Sequence, residues 1–167
     1  MTEQVYLSIG SNMGDQLANL NAAVQRLTDQ EDVMVTAVSS VYETEPWGKR
    51  DQANFYNIAV ALTTRLDPES LLTVLHDIEQ SLHRQRLVHW GPRIVDLDII
   101  YWGNRDIHTA DLTVPHPHAA ERNFVLLPIK EIAGDDSETK QRVEQALAQQ
   151  ADQSWIRKLE GVTIAYD

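Results

Sequence analysis

The chain has 167 residues, of which 43% are apolar and 23% are charged, as in an ordinary globular domain of about 100–200 residues. It contains no cysteine, which excludes a disulfide framework, a thiolate zinc site and a cysteine nucleophile. The formal net charge of −11 argues against nucleic acid and anionic membranes as partners. No basic region precedes the short amino-terminal apolar run, and no stretch approaches the roughly 20 apolar residues of a membrane-spanning helix. We therefore expect a cytoplasmic protein that folds as one domain over residues 1–167.

The spacing of apolar residues predicts alternating strands and helices. Strands are expected where apolar and polar side chains alternate or β-branched residues cluster, and helices where apolar residues recur three or four positions apart. In chain order the predictions are a strand at 5–9, a helix from 17 to about 30, strands at 33–42 and 55–66, a helix at 67–82, a strand at 94–102, an extended piece at 112–115 and a helix at 137–147. Asp67-Pro68-Glu69 is a typical helix start, and Ser137 is expected to cap the last helix. No element is assigned to the apolar run at 124–129.

The order β-α-β-β-α-β predicts an α+β fold, a ferredoxin-like sandwich with a mainly antiparallel four-stranded core sheet. We expect the helices on one face of this sheet, together with an extra hairpin and a C-terminal helix. Two connections, 43–54 and 83–93, are long, and long loops in compact domains are often functional. The loops should therefore form a site on the other face of the sheet or at its rim. Residues 134–167 are expected to be an extension of the same domain.

Two aspartates form the first candidate site. Asp96 and Asp98 are two positions apart on a predicted strand, so their carboxylates share one face, while Val95, Leu97, Ile99 and Tyr101 point into the core. The two negative charges repel each other unless a cation lies between them, and Mg²⁺ prefers such oxygen ligands. The alternative is an edge strand with solvated acids, which an isolated pair of this kind would favour.

The loop before the acid pair favours a phosphate site. From residue 80 to 95 the chain carries Arg84, Arg86 and Arg93 and no acid. The planar guanidinium fork suits phosphate oxygens, and arginines beside a metal-binding acid pair are the parts of a nucleoside triphosphate site. A basic loop that pairs with neighbouring acids is the alternative. No P-loop or dinucleotide-binding glycine motif is present.

Aromatic and histidine side chains at the predicted junctions offer further ligand contacts. Three rings, Trp47, Phe55 and Phe124, lie outside the alternating core pattern and suit a planar ligand, although each alone is more typical of core. Asn57 shares a strand face with Phe55 and suits the edge of a heterocycle. His116 and His118 could indicate zinc, but without cysteine a structural or phosphate-facing role is favoured.

Ordered motifs give the chain a resemblance to the 6-hydroxymethyl-7,8-dihydropterin pyrophosphokinase family of folate biosynthesis. The signature W-G-P-R-x-x-D-L-D-I is present from Trp90 to Ile99. The supporting motifs are Y-L-S-I-G-S-N at 6–12, V-S-S-V-Y-E-T-E-P at 38–46, N-F-Y-N-I-A-V at 54–60, L-T-V-P-H-P at 112–117 and R-N-F-V-L-L-P at 122–128. The resemblance covers residues 4 to 133.

This resemblance implies a Mg²⁺-dependent transfer of pyrophosphate from ATP to 6-hydroxymethyl-7,8-dihydropterin, with AMP as the second product. It implies that Asp96 and Asp98 hold two Mg²⁺ ions and act in catalysis with Arg84 and Arg93. The positions matching ATP contacts are Arg84, Arg93, Ile99, Thr113, His116 and Arg122. The positions matching the pterin site are Thr44, Pro46, Trp47, Phe55, Asn57, Glu79, Trp90 and Phe124. The partners implied are small molecules only, and we expect a monomer, with a dimer left open.

The sequence departs from the family pattern at three positions. His89 stands where many members carry arginine, so a cationic contact there would depend on pH. Pro117 follows the histidine of V-P-H, where some members have tyrosine, and Glu45 replaces a proline of the pterin loop. Two other functions are weighed: a non-catalytic nucleotide or pterin sensor, which would not need a two-metal clamp, and a metal-dependent phosphohydrolase.

Overall fold

Helices and antiparallel strands alternate along the chain. This computed structural model describes residues 3–12, 14–45, 54–83, 95–150, 152, 155–162 and 164. The helices are α1 (Gln16–Thr28), α2 (Pro68–His83), α3 (Asn123–Ile132) and α4 (Ser137–Gln149), with a single 3₁₀ turn at Ala119–Glu121. The strands are β1 (Glu3–Ser11), β2 (Val33–Val38), β3 (Tyr42–Thr44), β4 (Phe55–Thr64), β5 (Asp96–Trp102), β6 (Ile107–His108), β7 (Thr113–Val114) and β8 (Ile156–Lys158). The predicted α+β class is confirmed.

One antiparallel sheet carries six of these strands in the order β5-β1-β4-β3-β8, with β2 also paired to β4. Strands β2 and β3 lie end to end along β4, because Val38 pairs with Val60 and Tyr42 pairs with Asn57. The ferredoxin-like topology with four core strands stays a prediction. Strands β6 and β7 pair with each other and provide the hairpin that was predicted in addition to the sheet.

The single strand predicted at 33–42 is divided in two by a serine. The Ser39 N–H donates to the Ala59 carbonyl oxygen at 2.9 Å, and the Ala59 N–H donates to the Ser39 hydroxyl at 2.8 Å. A side-chain oxygen therefore takes the place of a ladder carbonyl, and the regular strand stops at this point.

The two predicted helix starts have different outcomes. Asp67 accepts from the Ser70 N–H as expected, but Asp136 and not Ser137 caps α4.

Helices pack on both faces of the sheet, so the prediction of helices on one face is wrong. One face of β1, β4 and β5 packs against α1 and α2 through Leu7, Ile9, Ile58, Val60, Leu97, Leu20, Leu27, Leu71 and Leu75. The opposite face packs against α3 and α4 through Tyr6, Ala59, Ala61, Val125, Leu126, Ile129 and Val143. Helix α3 contains the apolar run at 124–129, which was too short to show a helical period and holds Pro128.

A β-bulge between β1 and β5 determines which side chains of β5 share a face. Leu7 pairs with Ile99 and Tyr6 pairs with Tyr101, so Ile100 is an extra residue in β5. Tyr101 was predicted to share the face of Leu97 and Ile99, and this is wrong because the bulge reverses the alternation. Tyr101 and Ile100 both belong to the buried core on the α3 and α4 side of the sheet. Among the described residues, no helix is long and apolar enough to cross a membrane.

A glutamate on α3 fastens this helix to β3. Glu131 accepts hydrogen bonds from the Ser40 N–H at 3.0 Å, the Ser40 hydroxyl at 2.9 Å and the Tyr42 hydroxyl at 2.6 Å. Burial alone would raise the pKa of Glu131, but the hydrogen bonds from Tyr42 and Ser40 outweigh it, so the pKa lies below its usual value. The charged carboxylate therefore stabilises the folded chain.

We expect the stability that Glu131 provides to be lost in acid. The pKa of Glu131 is lower in the folded than in the unfolded chain, so its contribution to the free energy of unfolding is complete above the unfolded-chain pKa of about 4.3. This contribution declines as the pH falls through the pKa of the folded chain. The free energy of unfolding should fall between pH 6 and 3 by less in Glu131→Gln than in the wild type, measured by urea denaturation. Glu144→Gln, an exposed acid on α4, should follow the wild-type curve. Parallel curves for the wild type and Glu131→Gln would contradict this assignment.

Candidate active site

A cavity of about 150 Å³ opens on the face of the sheet that packs against α3, next to the start of that helix. We call it the face cavity. Strands β1, β3, β4 and β5 form its floor, and the start of α3 forms one wall. Its lining residues are Ser8, Gly10, Thr44, Glu45, Phe55, Asn57, Asp96, Asp98, Arg122 and Phe124.

The register of β1 brings the polar residues of the floor together. Gly10 pairs with Asn57 on one side and with Asp96 on the other, and Ser8 pairs with Asp98. Directly paired residues of antiparallel strands point to the same face, so these side chains all point toward the cavity. The acids were predicted to share one face of their strand, and they do.

Gly10 permits a close approach that fixes the amide of Asn57. A Cβ atom at Gly10 would lie 2.7 Å from the Asn57 Oδ1 atom, closer than any ordinary contact. The Asn57 Nδ2 atom donates to the Thr44 hydroxyl at 3.1 Å in a buried hydrogen bond. The amide is therefore held in one orientation, with Oδ1 toward β1 and Nδ2 toward β3. An oriented amide can read the donor and acceptor pattern of a ligand's edge.

Two half-buried phenylalanine rings line the same cavity from different elements. Phe55 is the first residue of β4, and Phe124 is the second residue of α3. The Arg122 guanidinium carbon lies 5.6 Å from the centroid of the Phe124 ring, within cation–π range. Rings with an oriented amide beside them suit a flat heterocycle.

A second cavity of about 320 Å³ lies along the outer edge of β5, and we call it the edge cavity. It is lined by residues of α2, β5, the β6–β7 hairpin and the segment that follows this hairpin. These residues are Leu72, His76, Glu79, Leu97, Asp98, Ile99, Ala110, Asp111, Leu112, Thr113, His116 and Pro117. The His116 N–H donates to the Ile100 carbonyl oxygen at 3.2 Å, and Glu79 accepts from the Leu97 N–H at 2.8 Å. Both contacts fasten their segments to β5.

Asp98 lines both cavities and so lies at their junction. It is exposed, whereas Asp96 is half-buried beside Gly10. No cluster of three or more histidine, cysteine, aspartate or glutamate side chains able to hold a metal occurs in the part of the chain that the structure describes. Two carboxylates alone fit a hard cation such as Mg²⁺, which commonly takes its remaining ligands from water and substrate phosphates.

The surroundings of His116 favour the neutral form of its ring. Burial lowers its pKa, and the neighbouring Arg122 and His118 lower it further, while Asp98 opposes them. The His118 N–H donates to the His116 Nδ1 atom at 3.3 Å. In a neutral imidazole whose Nδ1 accepts, the proton is on Nε2, so this nitrogen can donate to an anionic oxygen.

The predicted site residues divide between the two cavities. The face cavity contains Thr44, Phe55, Asn57, Asp96, Asp98, Arg122 and Phe124. The edge cavity contains Glu79, Asp98, Ile99, Thr113 and His116. Arg122, expected at the nucleotide, therefore lines the face cavity, and Glu79, expected at the pterin, lines the edge cavity. Pro46, Trp47, Arg84, His89, Trp90 and Arg93 lie outside the described residues.

The sequence analysis missed Ser8, Gly10 and His76 as site residues. Ser8 and Gly10 lie within the motif at 6–12, but neither was predicted to line a site. Ser8 and Gly10 are site residues because they pair with Asp98 and Asp96 of β5, but strand register cannot be read from local spacing. His76 lies one helical turn before Glu79 on α2, and this spacing was a signal that could have been used.

The fold is similar to that of solved HPPK-DHPS proteins. The Plasmodium falciparum HPPK-DHPS A437G with STZ-DHP matches with a TM-score of 0.61 at 17% identity, over 79% of this chain and 42% of that chain. A second HPPK-DHPS, in complex with substrates, matches with a TM-score of 0.62 at 15% identity, over 89% of this chain and 46% of that one. At these identities the similarity establishes the fold.

Curated relatives are closer in sequence. The 2-amino-4-hydroxy-6-hydroxymethyldihydropteridine pyrophosphokinase of Bacillus subtilis is 44% identical over 158 residues, which are 94% of this chain and 90% of the relative. The protein of the same name from Methylorubrum extorquens is 41% identical over 157 residues, 94% of this chain and 99% of the relative. The bifunctional protein FolKE of Lactococcus lactis subsp. cremoris is 41% identical over 146 residues, 87% of this chain, which spans only 42% of that relative.

The family model for 7,8-dihydro-6-hydroxymethylpterin-pyrophosphokinase matches residues 6–134, a range that contains the described residues of both cavities. This chain belongs to that family of diphosphokinases.

Proposed function

We propose that the chain transfers the pyrophosphate group of ATP to the hydroxymethyl oxygen of 6-hydroxymethyl-7,8-dihydropterin, in folate biosynthesis. One observation carries this proposal: Asp98 lies at the junction of a cavity with aromatic walls and a cavity along the edge of β5. A reaction that joins a flat heterocycle to a polyphosphate needs both binding regions, with negative charge neutralised where they meet.

The face cavity suits the pterin. Stacking on the Phe55 and Phe124 rings would bury both faces of the bicycle, and the oriented amide of Asn57 would bind its edge. Thr44 holds that amide and contributes to the lining itself. Pro46, Trp47 and Trp90 are proposed as further pterin contacts on the resemblance alone.

The edge cavity suits the nucleotide. Ile99 offers an apolar surface, Thr113 a hydroxyl, and neutral His116 an N–H donor for a phosphate oxygen. Glu79 is proposed to act by holding the backbone of β5 at Leu97. Arg84 and Arg93 are proposed as the bidentate partners of the β- and γ-phosphates, and Arg122 as a cation at the border of the two ligands.

Asp96 and Asp98 would hold Mg²⁺, and the number of two ions rests on the resemblance. A bound cation would neutralise charge on the phosphate oxygens. The protein itself positions the two substrates and excludes water, which dominates catalysis of phosphoryl transfer in general. The hydroxymethyl oxygen forms a bond to the β-phosphorus, the bond from that phosphorus to the α,β-bridging oxygen breaks, AMP leaves with this oxygen, and the hydroxyl proton passes to solvent. A monomeric state and a cytoplasmic location stay predictions.

Product analysis tests the proposal against its two alternatives. With ATP, Mg²⁺ and the reduced pterin, the wild type should form AMP and pterin diphosphate in equal amounts, resolved by chromatography of the quenched reaction. A phosphohydrolase would consume ATP without pterin and release free phosphate. A sensor would bind both ligands and turn over neither.

Removing either carboxylate should abolish most turnover and spare the fold. Asp96→Asn and Asp98→Asn each weaken the cation site, and we expect kcat to fall on the order of a hundredfold. Each change should cost folding stability far less than turnover, because it relieves a repulsion between like charges. Asp106→Asn, an exposed acid beyond the end of β5, is the control and should retain kcat. Near-normal turnover of both site variants at low Mg²⁺ would refute the assignment.

A methyl group at Gly10 should weaken pterin binding selectively. In Gly10→Ala the new Cβ would displace the Asn57 amide from the orientation set by Thr44. We expect the KM for the pterin to rise by about tenfold, the cost of one misplaced hydrogen-bonding group, with the KM for ATP nearly unchanged.

Gly103→Ala is the matched control for this substitution. A Cβ there meets nothing within 4 Å, but Gly103 has a φ of +54°, so the change should cost stability without affecting either KM. Equal pterin KM values in the two variants would show that the Gly10 contact does not orient the amide.

A further inference from the structure

The chain beyond α4 contacts both walls of the face cavity. We call Gln150, Asp152 and residues 155–159 the C-terminal strap. It lies outside the segment 6–134 that the family model matches. The Thr44 side of the cavity and the Phe124 side of the cavity are separate elements in the fold, β3 and α3. The strap makes hydrogen bonds with each of them.

The strap pairs with the whole length of β3. Strand β8 runs antiparallel to β3, with Ile156 opposite Thr44 and Lys158 opposite Tyr42. Beyond the two ends of this pairing, the Leu159 N–H donates to the Val41 carbonyl oxygen at 2.8 Å, and the Trp155 N–H donates to Glu45 at 3.3 Å. Strand β3 has only three residues, so its position depends on the pairing along both of its edges.

Side chains reinforce this pairing. Arg157 forms an ion pair with Glu43, the residue directly opposite it. The Lys158 ammonium nitrogen lies 5.9 Å from the centroid of the Tyr42 ring. The strap thus supports the strand from which Thr44 orients the Asn57 amide.

The strap also caps α3. Asn123 is the first residue of that helix, and its N–H donates to the Asp152 carboxylate at 2.9 Å. Its side-chain Nδ2 donates to the Asp152 carbonyl oxygen at 3.3 Å, and its Oδ1 accepts from Gln150 at 2.6 Å. The residue that precedes the helix is Arg122, whose side chain has no acceptor and cannot cap it. Asn123 lies between Arg122 and Phe124, the two residues of this wall.

We propose that the C-terminal strap is a positioning element that holds the Thr44 wall and the Phe124 wall of the face cavity at a fixed separation. The strap thereby determines the affinity of the face cavity for the pterin. This inference rests on the proposed function for the identity of the ligand. The strap touches neither reacting group, so its effect is on binding of the flat substrate. Helix α3 keeps a separate tie to β3 through Glu131, and the fold should therefore survive loss of a single strap contact.

The test compares Asp152→Ala with the wild type. We expect a pterin KM that is higher by roughly threefold to tenfold, an ATP KM within about twofold, and faster amide hydrogen exchange at residues 41–45 as well as 122–126. Asp152→Asn keeps an acceptor oxygen and should restore most of the pterin affinity. If Asp152→Ala fails to fold, Gln150→Ala removes the uncharged hydrogen bond between the strap and Asn123 and should show the same pattern to a smaller degree.

Asp67→Ala is the matched control, because it removes a comparable capping hydrogen bond from α2, the one that Asp67 accepts from the Ser70 N–H at 2.7 Å. Asp67 lines neither cavity. Asp67→Ala should lower the melting temperature and leave the pterin KM and the exchange at both walls unchanged. Unaltered exchange at 41–45 in Asp152→Ala, or faster exchange with an unchanged pterin KM, would overturn the proposal. A wild type that forms no AMP with the pterin would instead overturn the proposed function, and the exchange data would still show whether the strap holds both walls.

Discussion

The antiparallel register of β1 with its two neighbours is the constraint on which the site depends. Because β1 pairs with β4 and β5 at once, Gly10 lies between Asn57 and Asp96, and one backbone position places an amide and a carboxylate on the same face. A shift of one residue in either pairing would turn those side chains to the opposite face, among the apolar residues of α1 and α2. The two buried cores hold that register, since each of them packs on one face of β1.

The face cavity exists because small side chains stand where α3 no longer covers the sheet. Under α3 the face of β4 carries the buried residues Ala59 and Ala61, whose small side chains let the helix approach closely. On the same face β1 carries Ser8, opposite Ala59, and Gly10, opposite Asn57, and both line the cavity. At Gly10 a larger side chain would clash with the Asn57 amide, so the open space and the orientation of that amide depend on the same glycine. Asp96 and Asp98, which repel each other, line the same space, and a bound cation would offset this repulsion.

Local sequence pattern predicted those features that depend on alternation within one strand. The common face of Asp96 and Asp98 and that of Phe55 and Asn57 follow from the period of two, and both are confirmed. Pattern failed where a partner distant in sequence decides the structure. The bulge at Ile100 depends on pairing with β1, and β8 becomes a strand only because β3 offers it an edge. Tertiary packing likewise decides which predicted residue lines which cavity, and for this reason Glu79 lines the edge cavity.

The position of β3 raises a requirement that any chain with this arrangement must meet. A three-residue strand with one partner has an open edge, and the first N–H groups of α3 have no acceptor within their own helix. In this chain the C-terminal strap meets both requirements, because Asp152 accepts from the Asn123 N–H at the start of α3 and β8 pairs with β3 as far as Thr44. Since the same two elements form the walls of the face cavity, the groups that satisfy the backbone are also the groups that set the separation of the walls. Backbone satisfaction and ligand geometry are therefore coupled, and a change in either contact should be felt at both walls.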